Sequence, residues 1–255
     1  MKLKKIVAAA MTLTLTAGLL AGCGSKNNNE ASDKKDTLIM ATNATFPPYE
    51  YVEGNEYVGI DVEVAQAIAK ELGMELKVED VEFGSIVSGV QSGKFDIGMA
   101  GITVTEDRKK SVNFSNPYAT AKQVVIVKEG SNIKTVDDLS SDTKIGVQQD
   151  TTGDIYTTED YGDSAVTRYN KGADAVQALM SGKVDCVVID SEPAKEFVEA
   201  NDGLKILDTE YVEEEYAICV AKDNDELLNQ INEALDKLKS NGTIDEIVNK
   251  YISAE

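Results

Sequence analysis

Two charged residues and a group of hydroxyls stand where a ligand is most readily held. The run Gly101-Ile102-Thr103-Val104-Thr105-Glu106-Asp107-Arg108 follows an apolar segment, Phe95 to Ala100. Thr105 is spaced there to cap a helix, and Arg108, three residues on, to return its guanidinium toward the helix start. Gln148-Gln149-Asp150-Thr151-Thr152-Gly153 follows a second apolar segment, Lys144 to Val147, and again offers hydroxyls and backbone N–H groups at a helix start. A third segment, Val184 to Ile189, ends in Asp190, with Ser191 and Pro193 behind it. An arginine with hydroxyl and amide donors clamps a carboxylate, and a strand-end aspartate is a counter-ion for an ammonium. The set is shaped for a zwitterion. Plainer readings stand beside it: Arg108 as a solvated helix residue paired with Glu106 or Asp107, and Asp190 as a helix N-cap.

Composition removes other chemistries. The chain has 255 residues, 45 acidic against 25 basic, and neither His nor Trp. Without His there is no Ser-His or Cys-His nucleophile pair and no commonest zinc ligand, so most hydrolase mechanisms fall and no metal or cofactor is expected. A formal charge of −20 repels a phosphate backbone, so nucleic acid is not an expected partner.

The elements that must position these residues alternate. Leu38 to Ala41 reads as a strand; Asp61 is spaced to cap a helix with Val64, Ala65, Ile68, Ala69 and Leu72 on one face, stopped by Gly73. Strand Met74 to Val81, helix Ile86 to Ser92 and strand Phe95 to Ala100 complete a βαβαβ unit. Ser92-Gly93-Lys94-Phe95-Asp96 matches Ser181-Gly182-Lys183-Val184-Asp185, each behind a helical segment and opening a strand, which places equivalent turns in two halves. The second half predicts strands at 123–127, 144–147, 165–169 and 184–189, with helices from Thr152 to about Tyr161 and from Gly172 to Ser181. Tyr216 to Ala221 is a further strand, and two helices close the chain, the second opened by a capping box Thr243-x-x-Glu246. Cys186 and Cys219 sit in apolar runs and read as buried free thiols rather than a disulfide.

The N-terminus reads as a secretory signal: three lysines by Lys5, then an uncharged stretch from Ile6 to Gly22 that is too short and too rich in Thr to span a membrane. Leu20-Ala21-Gly22-Cys23 resembles the bacterial lipobox, which implies cleavage before Cys23 and a lipid on it. Residues 23–36 read as a solvated tether, and removal of Met1 to Gly22 leaves the mature charge at −23.

From Leu38 to Tyr251 the chain resembles the bacterial amino-acid ABC-transporter solute-binding proteins of the polar amino-acid family. The likeness is carried by Ala41 to Tyr49 (ATNATFPPY), Gly59-Ile60-Asp61-Val62-Glu63, Ala100 to Arg108 (AGITVTEDR), Phe114 to Tyr118 (FSNPY) and Asn241-Gly242-Thr243. The resemblance implies an α/β, two-lobed periplasmic-binding-protein-like (type II) fold with a hinge. Its first lobe would hold residues 37–120 plus 216–255 and its second residues 121–215. Carried over residue by residue, Thr103, Arg108 and the Thr152 amide would take the ligand's α-carboxylate, and Asp190 with the Gly101 carbonyl its α-ammonium. Phe46 and Phe83 would flank the ligand side chain, with Asn43 and Gln148 at its polar end; Asp61 is read as a cap without a ligand role. Family members often carry Gly at the place of Asp150, which puts that turn in question. The implied partners are a free amino acid and the permease subunits of an importer, with a monomer lipid-anchored on the extracellular or periplasmic side. A neutral Asn43, with no acid placed at the side-chain end, favours a glutamine-like or broadly polar ligand; arginine, lysine or cystine is the alternative. A dehydratase-type enzyme on the same fold would need a cleft Glu or Asp of raised pKa.

Overall fold

The computed structural model describes residues 36–252, so the signal segment, Cys23 and all of the tether except Asp36 lie outside the described residues. The body opens at β1 (Thr37–Thr42), where the polar tether gives way to alternating apolar residues. A three-stranded ribbon follows, β2 (Thr45–Phe46), β3 (Glu50–Glu53) and β4 (Glu56–Val58), and then helix α1 (Ile60–Glu71). Helix α1 buries Val64, Ala65, Ile68 and Ala69 at helical spacing, and Gly73, at φ 71°, follows its end. β5 (Glu75–Asp80), α2 (Ile86–Gln91) and β6 (Ile97–Gly98) complete the first unit, with β5 and β6 flanking β1 in parallel.

After α3 (Glu106–Ser111) and β7 (Val112–Phe114), the chain enters a second sheet through β8 (Ala119–Lys128). There it continues as β9 (Ile145–Gln148), α4 (Thr152–Tyr161), β10 (Val166–Tyr169), α5 (Gly172–Met180), β11 (Cys186–Asp190), α6 (Ser191–Glu199), β12 (Leu204–Ile206) and β13 (Val212–Tyr216). β14 (Cys219–Ala221) then returns to the first sheet, before α7 (Asp225–Ser240) and α8 (Thr243–Tyr251). The first sheet has the order β5-β1-β6-β14-β7; the second runs β10-β9-β11-β8-β12 with β13 also on β8. Helices α7 and α8 cover the first sheet's helical side with Leu227, Ile231, Leu235, Leu238, Ile244 and Ile247 buried, each worth about 1.5–3 kcal/mol of apolar transfer. No helix among the described residues is long and apolar enough to cross a membrane.

The duplicated pentapeptide folds twice alike. Gly93 and Gly182 take φ 72° and 73° after their helices, and Lys94 and Lys183 each donate back to the carbonyl of Gly89 and Ala178 at 2.9 Å. The aspartate that ends each motif then grips the neighbouring strand: Asp96 accepts from the Ile39 N–H at 2.7 Å and Asp185 from the Lys144 N–H at 2.9 Å.

Three expectations change. The segment 216–221 is two strands, because Ala217 and Ile218 carry the chain from one sheet to the other. The capping box does not form: Gly242, in the left-handed region, is the N-cap of α8, and Thr243 lies inside the helix. Asp61 is likewise no cap. Gly59 holds that position, and Asp61 turns inward with the buried face of α1.

Candidate functional site

All nine residues expected around a ligand line one cleft of about 310 Å³: Asn43, Phe46, Phe83, Gly101, Thr103, Arg108, Gln148, Thr152 and Asp190. Glu50, Ala100 and Thr151 join them.

Helix starts build the anion side. Thr105 caps α3 by accepting from the Arg108 N–H at 3.2 Å, and Thr151 caps α4 by accepting from the Asp154 N–H at 3.4 Å. The Thr152 N–H therefore opens a helix at the cleft, where backbone donors and the helix dipole favour an anion. Arg108 turns back as expected. Its Nη1 donates to the Thr103 carbonyl at 2.8 Å, its Nη2 to the Asp150 carbonyl at 3.1 Å, and its Cζ lies 5.3 Å from the Phe83 ring centre. Glu106 and Asp107 pair instead with Lys109 and Lys110, so the solvated reading of Arg108 does not hold. Burial lowers the Arg108 pKa, but a guanidinium stays charged. Three of its five N–H donors are left for a ligand.

The turn at Asp150 keeps a left-handed backbone, φ 65°, without a glycine. Aspartate tolerates that region best among charged residues, and here the Asp150 N–H is held by the Asp154 carboxylate at 3.0 Å, itself gripped by Arg168 at 2.8 and 3.0 Å.

Asp190 is a buried acid in the cleft lining. It occupies the N-cap position of α6 but forms no side-chain cap. Its Oδ2 accepts from Gln123 Nε2 at 2.9 Å and its Oδ1 from the Tyr216 hydroxyl. Burial, then the charge of Glu214, pushes its pKa up to about 7. Gly101, at φ 54°, passes so close to the aromatic wall that a Cβ would meet Phe46 at 3.1 Å and Tyr216 at 3.2 Å.

Asp61, away from the cleft lining, braces that glycine: its Oδ2 accepts from the Gly101 N–H and the Tyr118 hydroxyl, both at 2.8 Å. The signal was in the sequence, since positions 61, 64, 65 and 68 share one helix face and the other three are apolar.

Glu50 is the acid that sequence reasoning missed. It pairs with Phe46 across the β2–β3 ribbon, is 1% exposed, and its carboxyl is hydrogen-bonded with that of Asp61. Burial and the neighbouring Asp61 hold its carboxyl well above the usual range. The cleft lining thus contains an acid besides Asp190. Asn43 is present but engaged, its Nδ2 on the Val81 carbonyl at 2.8 Å and its Oδ1 accepting from Gln148 Nε2 at 2.9 Å and Thr45 at 3.0 Å. Phe46 stacks on Tyr49, which meets Tyr216 edge-on, and Phe83 supports Arg108. Both aromatics thus have packing roles as well as a face on the cleft. Cys186 and Cys219 are buried free thiols.

The sequence that builds this frame and cleft matches a known family. The model of the bacterial extracellular solute-binding proteins, family 3, matches residues 38–254. The chain belongs to that family. This family 3 protein is 37% identical to the arginine-binding extracellular protein ArtP of Bacillus subtilis over 98% of its own length and 97% of the relative's. It is 33% identical to the glutamine-binding protein GlnH of the same organism over 99% of both chains. Among solved structures, an ancestral arginine-binding protein bound to arginine superposes with TM-score 0.81 at 40% identity, over 86% of this chain and all of the other; the ancestral protein's form bound to glutamine fits with the same score. The family 3 protein accordingly has the mixed α/β periplasmic-binding-protein-like fold and belongs to the amino-acid transport solute-binding proteins.

Proposed function

We propose that this chain captures a free α-amino acid outside the cell and delivers it to the permease subunits of an ABC importer, with L-arginine as the preferred ligand. The zwitterion reading rests on Arg108 and Asp190 lining one cleft. The preference for arginine rests on Glu50, a buried acid in the cleft lining beside Phe46 that forms a carboxyl pair with Asp61. A guanidinium is the group that best satisfies a desolvated carboxylate, through a bidentate pair. The arginine-binding relative and the arginine-bound ancestral structure support it. Glutamine is the second reading, favoured by the Asn43–Gln148 amide pair, which could exchange its internal bond for one to a ligand amide.

The change of sheet between residues 114 and 119 and again between 216 and 219 supports two lobes, 37–120 with 216–255 and 121–215, hinged at those crossings. Thr103 and Arg108 would then close on Thr152 and Asp190. The protein works as a monomer held to the outer face of the membrane by a lipid on Cys23.

A thermal-shift screen against the twenty amino acids, followed by calorimetry on wild type and Glu50→Gln, tests the reading. Arginine at 100 times its Kd should add about 2.7 kcal/mol to stability, and Glu50→Gln should weaken arginine far more than glutamine. Equal losses for both ligands remove Glu50 from the side-chain site; no stabilisation by any amino acid removes the function. A dehydratase-type activity would use a raised cleft acid, and Glu50 and Asp190 are such acids. Recovery of unaltered ligand by mass spectrometry after prolonged incubation favours the receptor.

A further inference from the structure

Glu214 lies outside the lining of the cleft, yet it is tied to the acid expected to meet the ligand's ammonium. Gln123 Nε2 donates to Asp190 Oδ2 and to Glu214 Oε2, at 2.9 Å in each case. The two carboxylate oxygens are therefore no more than 5.8 Å apart, twice that bond length. Asp190 and Glu214 are 7% and 6% exposed, and Glu214 Oε1 is buried with no hydrogen-bond partner among the described residues. Gln123 also reaches Thr152 Oγ1 at 3.5 Å, so one amide touches both ends of the zwitterion site.

The groups facing this pair do not neutralise it. From the second crossing, the Tyr216 hydroxyl donates to Asp190; from α4, Tyr156 faces Glu214; and from the aromatic wall, Tyr49 faces Asp190. Arg108 adds its field at Glu214 but spends bonds on the Thr103 and Asp150 carbonyls. Lys109 and Lys122, on adjoining elements, pair with Glu106 and Glu210. Asp61 and Glu192 lie near Tyr49 on the same side, Glu192 paired with Lys195 at 3.1 Å. The acidic neighbour across the amide bridge disfavours the charged form of Asp190 and so strengthens its hold on a proton. The direction of the Asp190 shift agrees.

Resting on the amino-acid reading above, we propose that Glu214 is a positioning residue of the ammonium site, and that Asp190, Gln123 and Glu214 form one unit in which a proton on Asp190 is displaced by the ligand's ammonium. The ammonium brings its own positive charge to Asp190; the O–H bond of the carboxylic acid breaks, its electrons stay on the carboxylate, and the proton passes to buffer. No redox partner is involved.

The test is calorimetry of the full chain with L-arginine and L-glutamine, each at pH 7 in two buffers of different ionisation enthalpy, which counts the protons released. Wild type should release a measurable fraction of one proton per ligand. Glu214→Gln should release fewer, because Asp190 without its acidic neighbour holds its proton less tightly, and its affinity should depend less on pH between 6 and 8. Glu50 is unchanged in both proteins, so its own titration cancels from the difference. Should Glu214→Gln fail to fold, Gln123→Met breaks the same bridge and should alter the same count. Wild type binding with no proton exchange, or variants releasing as many protons as wild type, would overturn the inference while leaving the amino-acid reading intact. No binding of any amino acid to wild type would overturn both.

Discussion

Replacing Arg108 with alanine separates recognition from folding. The guanidinium holds the Thr103 and Asp150 carbonyls and lies on Phe83, and the bond to Asp150 is exposed. Losing those two bonds costs roughly 1–3 kcal/mol of stability, which a domain of ordinary stability survives. The ligand fares worse, because its carboxylate would enter the cleft with the Thr152 helix start but no countercharge. Truncating one partner of such a desolvated pair costs about 2–5 kcal/mol, or about 30-fold to about 4,000-fold in Kd. Arg108→Lys keeps a charge but loses the fork that reaches two carbonyls and the ligand together, and should fall between. Calorimetry with L-arginine and L-glutamine, beside a melting curve for each variant, reads both effects. A folded Arg108→Ala protein that binds within about threefold of wild type would refute the clamp.

Asp190 titrates at about 7 in the empty cleft, and the ammonium needs it ionised. Affinity should therefore be full above neutrality and fall about tenfold per pH unit below it, so a Kd measured near pH 5.5 should be roughly 30-fold weaker than near pH 8; a flat profile contradicts the assignment. Asp61 has a folded pKa of about 6 against 3.8. A raised acid costs stability once pH exceeds its unfolded value, here about 3 kcal/mol above pH 6. Asp61→Asn, whose amide oxygen can still accept from Gly101 and Tyr118, should therefore flatten the loss of stability as pH rises from about 3.8 to about 6 in urea melts. Gly101→Ala meets both a left-handed backbone and the Phe46 ring, and should cost about 1–3 kcal/mol and weaken binding; unchanged melting and affinity would mean the turn adapts. Burial pushes both remaining thiols up to about 12, so the native protein should resist a thiol reagent near pH 8 and react only on unfolding.

Much of the frame was legible because its signals are local and redundant. Helix faces, glycine stops and hydroxyl caps each repeat one message over a few residues. The Ser-Gly-Lys-x-Asp repeat even marks where an aspartate locks two strands, at Asp96 and at Asp185. The nine expected residues converge because each stands at a strand end or helix start, which in an open α/β sheet is one edge. Errors arose where long-range geometry decides. Tyr216 to Ala221 is an unbroken apolar run, and nothing local says that the chain changes sheets at Ala217. Thr243-x-x-Glu246 has the letters of a capping box, but Gly242 already turns the chain into the helix in a left-handed conformation.

The buried acids were illegible for a different reason, and they bear most on the ligand. Glu214 stands in a run of three glutamates, where composition says solvent. Only parity reveals it: Tyr216 faces inward on β13, so the residue two before it must as well, and the strand indeed buries 214 and 216 while exposing 213 and 215. Glu50 has the same relation to Phe46, visible once the β2–β3 register is known. A chain does not keep Glu50, Asp61, Asp190 and Glu214 buried around one cleft without cost, since each desolvated carboxyl opposes folding. Arg108 is the cation among the lining residues, and it is committed to the carboxylate end. On the proposed reading an α-amino acid with a neutral side chain would bring one positive charge to the acidic side and one with a guanidinium two, and that difference is the ground for proposing arginine ahead of glutamine.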